Sequence, residues 1–332
     1  MEFGCSSFTW ETLDGKHLLG RTYDQFGDLR GNRIASLPAG FPVQTRVDGA
    51  VRRASRYRVL GMAVLGPDTP ILVDGLNERG LMGALLNFPG AGDGPSRGTG
   101  GLAVHPAFVS ALLLGECATV EEVCRTAPNL RLTDESIFGA SMSVHFLFSD
   151  PTGEAVILEP EGDALCVHRD TIGVMANSPD YPWQRTNLRN YIPAGNLIAA
   201  PRTISGSSFA GFGECTGPFF GLPGDYSSPA RFVRLSFVKH YAVKGRDELD
   251  GVGRMFHAFA PVDIPEGLLR AAGEEERYEQ SLCTSVLCAE SRTYYFTTPT
   301  NRRIRALCLD RETACEPRYY GLEERQDVQF LN

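Results

Sequence analysis

The distribution of short strand-like segments is the feature of this sequence that most constrains its fold. Two helical blocks, at 106–127 and 228–259, and a short helix at 183–191 interrupt these segments, and no internal repeat or long linker divides the chain. Across 332 residues this alternation predicts one α+β domain with stacked antiparallel sheets and helices outside. The predicted strands are 5–10, 17–23, 59–65, 71–75, 81–87, 143–148, 155–159, 165–168, 172–175, 281–287, 292–298 and 304–309.

Composition excludes several classes of function. The net charge of −8, without a Lys/Arg cluster, argues against nucleic-acid binding. The longest apolar runs, such as 111–114, are too short to cross a bilayer, and no signal peptide is recognisable, so we expect a cytoplasmic protein. Nine cysteines occur without a C-x-x-C spacing, and we therefore expect no metal site and no cofactor. Except for Cys5, the cysteines are interpreted as small buried apolar residues.

Cys5 begins the first predicted strand. Asp14-Gly15 separates this strand from the next and is typical of a type I′ hairpin turn. A two-residue turn places Cys5 directly opposite Asp24. The same register points Arg21 to the opposite face of the hairpin, unless a bulge redirects it.

A cysteine nucleophile needs a proton acceptor. The histidines weighed for this role have no recognisable catalytic setting, because His17 and His168 lie in predicted strands and His240 and His257 on predicted helices. The remaining candidate is the α-amine of Cys5, whose reference pKa of roughly 7.7–8.0 suits neutral pH.

The amine of Cys5 becomes free only if the preceding residues are removed. We therefore expect residues 1–4 to be a propeptide, cleaved at Gly4–Cys5 by the Cys5 thiol, and residues 5–332 to be a single catalytic domain. The alternative interpretation is that Cys5 is an ordinary strand residue behind a frayed tail.

Several motifs occur in an order that covers nearly the whole chain, and on them the sequence resembles the choloylglycine hydrolase family. This family comprises the bile salt hydrolases and penicillin V acylases among the N-terminal nucleophile hydrolases. The motifs are Gly4-Cys5-Ser6-Ser7, Gly20-Arg21-Thr22-Tyr23-Asp24, Asn77-Glu78-Arg79-Gly80-Leu81, Leu86-Asn87-Phe88-Pro89-Gly90, the run from Thr171 to Pro179, Trp183 to Tyr191, Leu222-Pro223-Gly224-Asp225 and Ser227 to Arg234.

The resemblance implies a four-layer αββα sandwich, often assembled as a homotetramer, that hydrolyses a linear amide. It also implies a role for each matched residue. Cys5 is the nucleophile and its amine the base, and Asp24 and Arg21 hold the amine and the thiolate. Asn87, through its backbone N–H, and Asn177, through its side chain, form the oxyanion hole, and Arg231 adds positive charge.

The substrate is left open between related amides. Asn-Phe-Pro-Gly at 87–90 and the run 227–232 resemble bile salt hydrolases, which we favour, whereas 4–7 and 173–179 resemble penicillin V acylases. An N-acyl-homoserine lactone acylase is a further alternative. Each of these needs an apolar acyl pocket, and we expect five phenylalanines to line it, namely Phe26, Phe88, Phe138, Phe219 and Phe220.

Two other classes of protein compete with this interpretation. The first is a non-catalytic fold relative whose unprocessed tail blocks the amine of Cys5. The second is a Cys/His hydrolase, which would stay active with a blocked N-terminus and lose activity when one histidine is replaced.

Overall fold

The computed structural model describes residues 4–66, 68–90, 101–211, 217–273, 276–322 and 325–332. Residues 1–3 of the expected propeptide lie outside these ranges. The α-helices in them are α1 Val109–Glu116, α2 Val120–Thr126, α3 Tyr181–Leu188, α4 Ser228–Tyr241 and α5 Glu248–Ala258. The strands are β1 Cys5–Glu11, β2 His17–Phe26, β3 Asn32–Leu37, β4 Pro42–Gln44, β5 Arg52–Ala54, β6 Val59–Val64, β7 Ile71–Leu72, β8 Asp74–Asn77, β9 Met82–Asn87, β10 Leu102–Val104, β11 Leu130–Leu132, β12 Val144–Ser149, β13 Ala155–Glu161, β14 Ala164–His168, β15 Val174–Met175, β16 Arg202–Ile204, β17 Ser207–Phe209, β18 Leu269–Arg270, β19 Tyr278–Cys288, β20 Thr293–Thr298, β21 Asn301–Cys308 and β22 Arg318–Tyr320.

Two antiparallel sheets form the centre of the molecule. The first has the strand order β15-β1-β2-β19-β20-β21, with β18 beside β19. The second has the order β14-β13-β12-β9-β8-β6-β3-β22, with β7 beside β6. Helices α4 and α5 pack on the first sheet and α1 and α2 on the second, while β1 and β2 of the first sheet face β9 of the second. The predicted αββα sandwich is confirmed.

Helix starts follow the local capping chemistry. Thr119, which the capping-box spacing to Glu122 predicts as a cap, caps α2, because its side-chain oxygen accepts a hydrogen bond from the Glu122 N–H at 3.2 Å. The sequence Ser227-Ser228-Pro229 predicts Ser228 as the N-cap of α4, but this prediction is wrong by one residue, since Ser227 is the N-cap and Ser228 is the first helical residue. Pro229 still lies in the first turn, where a missing N–H costs no intrahelical bond.

The turn between β1 and β2 contains one residue more than predicted. The Thr12 N–H donates to the Lys16 carbonyl at 2.9 Å and closes a loop of residues 13–15. Gly15, at φ +81°, occupies the left-handed position that a three-residue hairpin loop requires.

The extra residue changes the pairing of the two strands. Cys5 pairs with Tyr23 and Ser7 with Arg21, so the predicted pairing of Cys5 with Asp24 is wrong. Arg21 lies on the same face of the hairpin as Cys5, and Asp24 lies on the opposite face.

The described helices have one further property relevant to function. None of them combines the length and the hydropathy that crossing a bilayer would require.

Candidate active site

The Cys5 thiol faces the interior between the two sheets. Cys5 opens β1 and is 1% exposed, and the Arg21 Nη2 donates a hydrogen bond to its Sγ at 3.3 Å. Burial raises the pKa of the Cys5 thiol, while the positive charge of Arg21 and the backbone N–H of Asp24 oppose that shift. The site therefore holds a buried sulfur next to a fixed positive charge.

Asp74, which the sequence analysis missed, supports Arg21 from the second sheet. Its Oδ2 lies 3.6 Å from the Arg21 Nη1 and accepts the Ser285 hydroxyl at 2.7 Å, and its Oδ1 accepts the Tyr294 hydroxyl at 2.7 Å. Ser285 and Tyr294 belong to the first sheet, so one buried carboxylate ties the sheets together behind the thiol. The signal in the sequence was an acidic residue inside the apolar run 71–75.

The main chain of Cys5 lies among polar groups. Its N–H donates to the Asn177 Oδ1 at 2.9 Å. The Arg231 Nη1 donates to the Cys5 carbonyl at 2.5 Å and to the Ser6 hydroxyl at 2.6 Å, and its Nη2 donates to the Asn177 Oδ1 at 2.7 Å. The Asn177 Nδ2 donates to the Asn87 carbonyl at 2.7 Å. Four of the predicted site residues, Cys5, Asn87, Asn177 and Arg231, thus form one connected network.

Asp24 lies on the main-chain side of Cys5. Its Oδ1 accepts the Ser281 hydroxyl at 2.6 Å, and its Oδ2 accepts the Thr22 hydroxyl at 3.2 Å. Burial raises the pKa of Asp24 to about 7, although Arg231 and the Ser281 hydrogen bond oppose the shift. The backbone N–H of Asp24 donates to the Gly4 carbonyl at 3.1 Å. Asp24 therefore contacts Gly4, the residue that precedes Cys5.

A cavity of about 640 Å³ opens on the Cys5 thiol. Arg21, Tyr23 and Asn87 line it near the sulfur, and its wall carries Phe138. The rest of the wall is largely aliphatic and includes Val64, Ile71, Val73, Leu85, Ile137 and Met142. A smaller cavity of about 220 Å³ lies on the main-chain side, where Gly4, Asn177, Tyr226 and Arg231 contribute to its wall. The two cavities meet at Asn87 and Pro89, which line both.

Of the five predicted pocket phenylalanines, the structure brings Phe138 alone to the wall of the large cavity. The Phe88 ring stacks on His145 with centroids 4.5 Å apart. The Arg277 guanidinium lies over the Phe26 ring at 5.4 Å. Phe219 packs on Phe237, and Phe220 is 89% exposed. Aromatic residues near a motif are therefore a poor guide to this wall, because aliphatic side chains between 64 and 85 and the segment 137–144 supply much of it.

A second buried carboxylate, Glu159, was also missed. Its Oε1 accepts the His145 Nδ1 at 3.2 Å, its Oε2 pairs with the His168 Nε2 at 3.1 Å, and both oxygens accept the Tyr181 N–H at 3.0 Å. Burial alone would raise the pKa of Glu159, but the hydrogen bonds from His145 and His168 lower it to about 2.

Glu159 links the two segments that carry the site asparagines. His145 stacks on Phe88, the residue after Asn87, and Tyr181 follows Asn177 by four positions. Among the described residues no histidine hydrogen-bonds to Cys5, and none of their His, Cys, Asp and Glu side chains form a group of three suited to a metal ion.

Comparison with known proteins assigns a family to this arrangement. The sequence model of linear amide C–N hydrolases, choloylglycine hydrolase family, matches residues 5–319. A bile salt hydrolase/transferase from Clostridium perfringens is 30% identical over 312 residues, 93% of each chain. One from Bifidobacterium longum is 30% identical over 310 residues, 92% of this chain and 95% of the other.

Two solved structures have the same architecture. A variant of the conjugated bile acid hydrolase from Clostridium perfringens superposes with a TM-score of 0.89 at 27% identity, covering 99% of this chain and 100% of that one. A penicillin V acylase from Agrobacterium tumefaciens has a TM-score of 0.72 at 19% identity, covering 92% and 87% of the two chains. The second likeness extends to the fold alone.

Proposed function

Because this chain belongs to the choloylglycine hydrolase family of linear amide C–N hydrolases, we propose that it deconjugates glycine- and taurine-linked bile salts with Cys5 as an N-terminal nucleophile. One observation carries the proposal. The Cys5 Sγ faces an apolar cavity of about 640 Å³, while the backbone nitrogen of Cys5 lies in the polar network of Asn177 and Arg231. A steroid acyl group and a small polar amine would then occupy opposite sides of the sulfur.

The reaction begins once the Gly4–Cys5 bond has been cleaved. The free amine of Cys5 takes the thiol proton, and Arg21 stabilises the resulting thiolate. The sulfur attacks the amide carbonyl carbon, and the negative charge moves to the carbonyl oxygen. The Cys5 amine then returns the proton to the leaving nitrogen, the C–N bond breaks, and water hydrolyses the thioester to release the acid and regenerate the thiol.

Asn87 and Asn177 are the proposed oxyanion donors, through a backbone N–H and a side-chain amide. The Asn177 Nδ2 donates one of its two N–H groups to the Asn87 carbonyl at 2.7 Å, which leaves the other for the oxyanion. Loss of one such donor typically reduces kcat by about 10²–10³. We propose that Asp24 and Arg231 hold the Cys5 amine and its surroundings, which agrees with their burial on that side.

The choice of acyl group rests on the cavity and on the relatives. The volume of the large cavity lies within the range of roughly 300–1,000 Å³ usual for small-molecule sites. The two relatives at 30% identity are named for bile salts. Penicillin V is the second candidate, because an aliphatic wall also accepts a phenoxyacyl group. N-acyl-homoserine lactones are the third.

A hydrolysis panel tests the proposal. Purified protein is incubated with glycocholate, taurocholate, penicillin V and a long-chain acyl-homoserine lactone, and released amine is quantified alongside intact mass. We expect the mass to correspond to loss of residues 1–4 and the conjugated bile salts to have the highest kcat/KM. Cys5→Ala is expected to abolish both cleavage and turnover. Hydrolysis of none of the four substrates by processed protein would favour a non-catalytic fold relative.

We also propose that the protein is a homotetramer, as the family resemblance implies, and that it is located in the cytoplasm. Exposed apolar side chains support an assembly surface, since Ile192 is 75%, Leu197 is 83% and Phe220 is 89% exposed. Light scattering coupled to size exclusion measures the assembly, and cell fractionation measures the location. A monodisperse monomer would contradict the first part of this proposal, and recovery of the protein outside the cytoplasm would contradict the second.

A further inference from the structure

Gly4 is held at both ends of its backbone. Its N–H donates to the Glu279 Oε1 at 2.5 Å, and its carbonyl accepts the Asp24 N–H at 3.1 Å. Hydrogen bonds at the nitrogen and the oxygen of Gly4 fix the peptide planes on both of its sides. The Gly4 carbonyl is the group that self-cleavage must attack.

The sulfur and the Gly4 carbonyl oxygen each have a donor on β2. The Asp24 N–H donates to the Gly4 oxygen, and the Cys5 sulfur accepts the Arg21 Nη2 at 3.3 Å. Strand β2 therefore positions both the nucleophile and the carbonyl that it attacks. A charge developing on the Gly4 oxygen would strengthen the hydrogen bond from the Asp24 N–H, as it does in an oxyanion hole.

Glu279 reaches Gly4 from the neighbouring part of the sheet. It lies in β19 opposite Phe26, and a register shift between Ser281 and Cys283 displaces the strand close to this point. A Cβ on residue 4 would collide with the Glu279 Oε1. Glycine is therefore the residue that lets this carboxylate approach the backbone.

We propose that Glu279 is a positioning residue for self-cleavage of the Gly4–Cys5 bond, with the Asp24 N–H as the oxyanion donor of that step. This inference rests on the proposed function. The Cys5 sulfur bonds to the Gly4 carbonyl carbon, the C–N bond breaks, and the thiol proton passes to the Cys5 nitrogen. Water then hydrolyses the thioester, which leaves a carboxylate on Gly4 and a free thiol and amine on Cys5. The contact with Glu279 is lost with the released peptide.

The test measures cleavage kinetics of freshly translated full-length chains by intact mass. Glu279→Met keeps the length of the side chain but removes the acceptor, and we expect cleavage to slow by about tenfold or more, the loss typical of one charged hydrogen bond. Glu279→Gln keeps an acceptor oxygen and is expected to restore most of the rate. Thermal midpoints in a Cys5→Ala background, which retains the peptide, check that each variant folds.

Gly4→Ala provides an independent test, because the processed enzyme is identical to the wild type. We expect slow cleavage but normal kcat/KM once the peptide has been released. In the Glu279→Met chain the same substitution should slow cleavage little further, because the carboxylate it displaces is absent and the two effects share one contact.

The outcomes separate this inference from the proposed function. Wild-type cleavage with an equally fast Glu279→Met variant would overturn the role of Glu279 and leave the amidase mechanism intact. A Glu279→Gln variant as slow as Glu279→Met, or fully additive slowing with Gly4→Ala, would also overturn it. An active wild-type enzyme that keeps residues 1–4 would refute the mechanism of the proposed function, and this inference with it.

Discussion

The guanidinium of Arg21 lies 3.3 Å from the Cys5 sulfur, and both side chains are at most 1% exposed. Asp74 balances the charge of Arg21 from the facing sheet at 3.6 Å. Attraction between opposite charges is strong where water is absent, so Arg21 opposes the rise that burial causes in the pKa of the Cys5 thiol. The burial that would otherwise disfavour the thiolate also strengthens the effect of the arginine.

Replacing Arg21 tests this relationship directly. Arg21→Leu is expected to raise the pKa of the Cys5 thiol, because burial then acts without the opposing positive charge. The alkylation rate of Cys5 by iodoacetamide, followed by peptide mass against pH, should reach its midpoint at higher pH than in the wild type. Arg277→Leu removes the same charge at an exposed position over the Phe26 ring and should leave the midpoint unchanged. Equal midpoints in the wild type and Arg21→Leu would refute the interpretation.

Because Phe138 lines the large cavity, replacing it should weaken substrate binding. Phe138→Ala removes part of the cavity wall and should raise KM for the preferred amide by about tenfold, in keeping with the apolar area lost. Phe209 has the same 56% exposure but lies on the β16–β17 hairpin. Phe209→Ala is therefore the matched control, and its KM should equal that of the wild type. A normal KM in Phe138→Ala would remove Phe138 from the binding site.

The raised pKa of Asp24 predicts how stability depends on pH. Its pKa is about 7 in the folded chain and about 3.9 when unfolded. The folded state thus binds the proton more tightly, and stability should fall as pH rises from about 4 to about 7. In a Cys5→Ala chain, which retains Gly4, Asp24→Asn should remove this fall. Urea denaturation at several pH values measures it, and Asp134→Asn, at an exposed position, should behave as the parent.

Glu159 predicts a pH dependence of stability with the opposite sign to that of Asp24. The Glu159 pKa of about 2 in the folded chain lies below the unfolded value of about 4.3, so its contribution is present above about pH 4.3 and is lost as pH falls towards 2. Glu159→Gln should lower the free energy of unfolding by about 2 kcal/mol at pH 7, because two histidines lose a charged acceptor.

Urea denaturation of Glu159→Gln and a matched variant would check this prediction. Glu154→Gln, at a half-exposed ion pair with Arg169, should cost no more than about 0.5 kcal/mol. A loss from Glu159→Gln that grows as the solution is acidified below pH 4 would contradict the assigned direction.

Local sequence patterns predicted the elements of this fold well, and pairing between strands less well. Each predicted strand overlaps an observed one, because alternation and turn residues are local properties. The register of the first hairpin was wrong because a single residue decides between two turn types at Asp14-Gly15. That residue moved Arg21 to the thiol face.

The site was predicted in part, and the misses share one physical cause. Motifs along the chain identified Cys5, Asn177 and Arg231, which the structure brings together. Their chemical roles stay predictions. Asp74, Glu159 and Glu279 were missed because each is an acidic residue within a strand, and only the assembled sheets bring donors to its carboxylate.

The length of the three-residue loop at 13–15 limits which insertions and deletions this chain can tolerate. Surface hairpin tips are usually where insertions and deletions are tolerated. Here the loop length sets the parity of β2 relative to β1, so deletion of a single exposed residue would send Arg21 away from the sulfur and Asp24 towards it. Length changes at this tip, remote from the reacting atoms, would therefore act as active-site mutations, whereas substitutions that keep the count would not.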